Sequence, residues 1–106
     1  MKFYRENTVN INLSFPGVDL TGATVYFTVK ADYDDDGTDS SALIKKDVTS
    51  HIDAANGQTV VVLTPSDTDV EPGKYVYDIK LKKSSGEQTT LKVDKCQILP
   101  AVTLRG

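Results

Sequence analysis

The chain has no tryptophan, one cysteine, one histidine and one methionine among its 106 residues. Cys96 has no second cysteine to pair with, so an intrachain disulfide and a multi-cysteine metal site are both excluded. That removes the small disulfide-stapled modules of secreted proteins. Without tryptophan, the bulky core positions fall to tyrosine and phenylalanine. No apolar run approaches membrane-spanning length, and the opening MKFYRENTVNINLSF lacks the apolar stretch of a signal peptide. The expectation is a soluble chain made in the cytosol, uncleaved, with no membrane partner. Helical periodicity of adequate length is missing as well.

A strong charge of either sign is also lacking. Fifteen acidic against 12 basic residues leave a net charge of −3. That balance is wrong for a nucleic-acid binder, which usually carries a basic patch. Lys80, Lys82 and Lys83 are mixed with acidic residues and read as a solvated strand end. With 39% apolar and 25% charged residues, the chain belongs with globular domains that hold one packed core.

What is present is alternation. Tyr75, Tyr77, Ile79 and Leu81 fall on one face of a strand, with Val76, Asp78, Lys80 and Lys82 on the other. A period of two with an aromatic and branched face marks a half-buried strand. Pro72 and Gly73 supply the turn ahead of it. Val9, Ile11, Leu13 and Phe15 make an earlier strand, ended by Pro16-Gly17. In Ala23 to Ala31 the odd positions are all apolar, while Thr24, Tyr26, Thr28 and Lys30 face outward. Ala42 to Val48 is a shorter, less periodic strand. Asn56-Gly57 is the strongest hairpin signal, and it leads into Thr59 to Leu63, apolar enough to be central or covered on both faces. In TPSDTD, Ser66 is placed to cap a single helical turn. Ser84-Ser85-Gly86 closes a hairpin into Gln88 to Leu99, where Leu91 and Val93 keep one parity and Cys96 and Ile98 the other. A bulge near Asp94-Lys95 would reconcile them. The sum is one domain over residues 1–106: an all-β, immunoglobulin-like antiparallel β-sandwich of about seven strands.

Catalytic chemistry has little to work with. Nucleophilic catalysis needs a nucleophile, a base and a group that orients the base. His51 stands in a loop and reads as solvated; Cys96 stands in a strand and reads as a small core hydrophobe. No cleft-forming element is evident around a carboxylate pair. The expectation is a non-enzymatic chain with no cofactor. The polar insertion DYDDDGTDSS contains Asp32, Asp34, Asp36 and Gly37 as D-x-D-x-D-G, the first half of an EF-hand calcium loop. Leu43 stands where the bidentate Glu would be, and no flanking helices are expected. A solvated acidic loop that shields a strand end is therefore favoured over calcium. Tyr26 and Tyr33 could offer rings to a sugar, but two scattered tyrosines are ordinary on a surface.

Four phrases occur in order: GATVYFTVKAD at 22–32, ALIKKD at 42–47, LTPSDTD at 63–69 and EPGKYVYDIKL at 71–81, with QILPAVT at 97–103. Jointly they resemble a small β-sandwich module of tailed-bacteriophage and prophage virion proteins, such as the N-terminal domain of baseplate upper proteins. The resemblance covers most of the chain, although baseplate upper proteins continue well past such a module. It implies a structural or assembly role in the virion (baseplate, tail or head decoration), with other virion proteins and further copies of the chain as partners. It brings no catalytic residues. Residues 1–6 and 101–106 are the candidate assembly arms, with Phe3, Tyr4, Arg5, Val102 and Leu104 as contacts beside one sheet edge. The rival reading is a carbohydrate- or protein-binding module of a bacterial surface or secreted protein.

Overall fold

Seven strands and one short 3-10 turn make up the computed structural model, which describes residues 1–32 and 39–105. The strands are β1 (Lys2–Tyr4), β2 (Val9–Ser14), β3 (Thr24–Lys30), β4 (Ile44–Val48), β5 (Gln58–Leu63), β6 (Gly73–Lys82) and β7 (Gln88–Leu99). Five form one sheet in the order β1-β7-β6-β3-β4, and β2 pairs with β5 in a second. The fold is all-β. The larger sheet is mixed, not antiparallel throughout, because β1 runs parallel to β7.

The apolar faces read from the sequence are the buried ones. Ala23, Val25, Phe27 and Val29 from β3 and its approach meet Tyr77, Ile79 and Leu81 of β6, and Val61 and Leu63 of β5 close over them. Phe27 and Tyr77 pack at 5.8 Å between ring centroids, a spacing at which tilted aromatic pairs attract. Alternation thus set both the strand and its buried side.

Four local expectations are corrected. β5 is covered on one face only: Val61 and Leu63 are buried while Val62 is exposed. The bulge in β7 falls at Leu91, between the pairs Ile79–Lys92 and Lys80–Thr90, and Asp94-Lys95 continues in register. Val93 therefore stays on the opposite face from Cys96 and is simply exposed. The turn after β5 is capped by Thr64, not Ser66. Asp67 N–H donates to Thr64 Oγ1, and Thr64 N–H donates to Asp67 Oδ2, a reciprocal box with Pro65 at the first helical position. Finally, Asn56-Gly57 closes the 3-10 turn Ala54–Asn56 and a single Asp53–Gln58 bridge; it does not join β4 to β5, which lie in different sheets.

Candidate functional site

The outer face of the large sheet carries a groove of about 470 Å³, where no cleft was expected. Register builds its floor. Thr28, Asp78 and Val93 stand in the middle row across β3, β6 and β7; Tyr26 and Lys80 stand in the row on one side of it, and Lys30 and Val76 in the row on the other. Asp39 lies at the rim, 3.2 Å from Lys30, and Asp32, Tyr77 and Gln88 complete the lining. Tyr26, Thr28, Lys30, Val76, Asp78 and Lys80 are each half-buried, although by parity they point away from the core. An aromatic ring and a valine on a nominally solvent face were the signals that could have revealed it.

Asp78 is the unusual group. Burial raises its carboxyl above the ordinary range, Asp39 adds to the rise, and Lys80 and Lys30 oppose it. Asp78 and Lys80, next to Tyr26, can hydrogen-bond a polar ligand laid along the ring, while Lys30 stands two rows from the ring and is paired with Asp39. A nucleophile paired with a base is not among the groove-lining residues described.

His51 is not solvated, as the sequence suggested. Its Nε2 donates to the Ala23 carbonyl at 2.8 Å, which leaves Nδ1 to share a hydrogen with Thr59 Oγ1 at 2.9 Å. Thr59 is itself buried, so the ring ties the entry of β3 to β5 across the two sheets. Cys96 sits in the core, as its strand position implied, and burial pushes its thiol up, away from the reactive thiolate.

The proposed calcium ligands divide. Asp32 is exposed at the groove, whereas Asp34 and Asp36 lie outside the described residues. Among the described residues, no three acidic, histidine or cysteine side chains are grouped to hold a metal.

The chain ends behave differently from one another. Residues 2–4 are a strand of the sheet, and Phe3 is only 6% exposed, packed in the core and therefore not a surface contact in the folded chain. Tyr4, its neighbour, is 52% exposed. Arg5 is held by Asp69, with Nε 2.9 Å from Oδ1. Val102 is fully exposed and Leu104 half so.

β7 completes the picture. β1 pairs only with Gln97–Leu99, and the amino terminus reaches Lys95. From Gln88 to Asp94 that side of β7 has no strand neighbour among the described residues. All of Gln88–Lys95 is exposed, including Leu91 and Val93. The chain matches no family model, no curated protein and no solved structure.

Proposed function

We propose that this chain is a non-enzymatic assembly module that works through protein–protein contacts, in a tailed-phage virion as the resemblance of its strand phrases implies. Its partners in that reading are other virion proteins and further copies of itself, and its location is the particle. The observation that carries the assembly reading is the open side of β7, where backbone without a strand neighbour among the described residues and the exposed Leu91 and Val93 stand together. An open edge is a ready template for another chain. Tyr4, Val102 and Leu104 add exposed apolar surface at the two chain ends. The finer fold reading, an immunoglobulin-like sandwich, is supported by two sheets that share one core. No cofactor enters this function.

The experiment is peptide mass spectrometry and antibody labelling of purified particles from a host that carries the gene. Peptides of this chain in intact particles, with label at a fixed position, are the expected result. A chain absent from particles and found on the cell surface would overturn the virion reading.

The groove favours a second reading. Tyr26 beside Asp78 and Lys80 would suit a carbohydrate, as in a surface-binding module. A glycan array separates the two: saturable glycan binding lost in Tyr26→Ala supports the second, and an array without binding leaves the first.

A further inference from the structure

We infer that β7 pairs with β7 of a second copy, antiparallel, about a two-fold axis that passes beside Val93. The inference rests on the assembly reading above but not on the virion setting.

Backbone direction comes first. Gln97 N–H donates toward β1, to the Met1 carbonyl, and the Leu99 and Lys95 carbonyls accept from Arg5 and the amino terminus on the same side. Backbone groups alternate sides along a strand, so the N–H and C=O of Val93 also face that side, where β1 no longer runs. Two copies of Val93 placed opposite one another would exchange both hydrogen bonds. Their side chains, 55% exposed in the single chain, would cover each other on the outer face.

Charge then selects the register. A two-fold beside Val93 sets Lys92 opposite Asp94 of the second copy, and Asp94 opposite its Lys92. Both side chains lie on the face shared with Ile79 and Tyr77, beyond the cover of the small sheet, and both are exposed. Moving the axis to Lys92 opposes two lysines, and moving it to Asp94 opposes two aspartates. Like charges directly opposite destabilise a strand pair, so of these three registers the one at Val93 is favoured.

The ends limit its length. The amino terminus at Lys95 and β1 beyond it occupy the edge on one side, and the bulge at Leu91 bends the strand on the other. Lys95 is already engaged, its carbonyl by the amino terminus and its N–H by Asp94 Oδ1, so the pairing is confined to Lys92–Asp94 of each copy, and the dimer is weak and concentration-dependent.

The test is sedimentation velocity on the full chain from about 10 µM to about 1 mM, a range that brackets weak association. Wild type should shift from monomer toward dimer across it. Lys92→Asp and Asp94→Lys each replace two attractive pairs by two repulsive ones, and each should weaken the dimer at least about ten-fold. The combined Lys92→Asp, Asp94→Lys chain restores both pairs with their ends exchanged and should dimerise like wild type. Unchanged thermal unfolding of all three variants confirms that the fold is intact, and slower amide exchange at Val93 with rising concentration locates the contact. A wild type that stays monomeric, single variants that dimerise equally well, or a double variant without rescue would overturn the inference. Particle incorporation of a chain that is monomeric alone would overturn it while leaving the assembly reading standing.

Discussion

Lys46 Nζ lies 2.7 Å from Asp67 Oδ2, and this ion pair links the large sheet, through β4, to the turn that leaves the small one. Asp67 also accepts the Thr64 N–H, so one carboxylate closes the turn and ties the sheets. Lys46 first, and then the Thr64 N–H, hold its carboxyl below the usual carboxylate range. A depressed acid contributes stability that is present above the unfolded value, about 3.9, and is lost as pH falls through the lower folded value. Asp67→Ala should therefore cost about 1–2 kcal/mol at neutral pH, from the cap and the ion pair together. Urea unfolding should show that gap constant above about pH 5 and closing in stronger acid. A gap independent of pH would show that the charge is not what matters.

Asp78 in the groove runs the other way. Burial and the nearby Asp39 raise its carboxyl, so folding favours its protonated form. The stability tied to that proton is fully present below the unfolded value and lost as pH rises through the raised folded one. Asp78→Asn should accordingly increase the unfolding midpoint at neutral pH, with the gain vanishing below about pH 4. If the groove holds an obligatory contact of Asp78, the same substitution would lower the midpoint.

Gly57 and Gly17 both adopt positive φ, at 71° and 78°, but their surroundings differ. A Cβ on Gly57 would stand 2.2 Å from the Phe15 carbonyl oxygen and 2.7 Å from that of Val18, both backbone atoms that cannot rotate away. A Cβ on Gly17 meets nothing within 4 Å. Gly17→Ala should cost about 1 kcal/mol for its backbone conformation alone. Gly57→Ala should cost about 3 kcal/mol or more, as strain is added to that term. Equal losses in chemical denaturation would mean that the Gly57 approach relaxes freely.

The parts legible in the sequence are those where one strand carries its own signal. Val25-Phe27-Val29 and Tyr77-Ile79-Leu81 alternate over enough residues to fix both the strand and its buried side. β1 escaped because three residues with one inward side chain, Phe3, make no period, and parallel pairing to the far end of the chain leaves no local trace. The misplaced bulge has a related cause. Val93 looked like a core residue in the wrong parity, whereas the small sheet does not extend over β7 and the strand is exposed there on both faces. His51 reads as solvated in the sequence because its partners, the Ala23 carbonyl and Thr59, are reached only after the sheets pack. The groove depends on three strands brought side by side, so no single stretch could show it.

Phe3 and Tyr4 separate the two roles of the N-terminal strand. Both were candidate contacts, yet alternation turns one into the core and the other outward. Removal of residues 1–6 would strip Phe3 from the core and uncover more of β7, so loss of assembly in such a deletion would say nothing about surface contacts. Point substitutions do separate them. Phe3→Ala should destabilise by about 3 kcal/mol, the range for a buried ring truncated to alanine. Tyr4→Ser should stay within about 0.5 kcal/mol of wild type in unfolding, because its ring is half in solvent. If the N-terminal strand takes part in assembly, Tyr4→Ser acts there instead, lowering incorporation into particles with the fold unchanged. Wild-type incorporation of Tyr4→Ser would confine the role of this strand to stability and leave the open side of β7 and the C-terminal residues as the contacts.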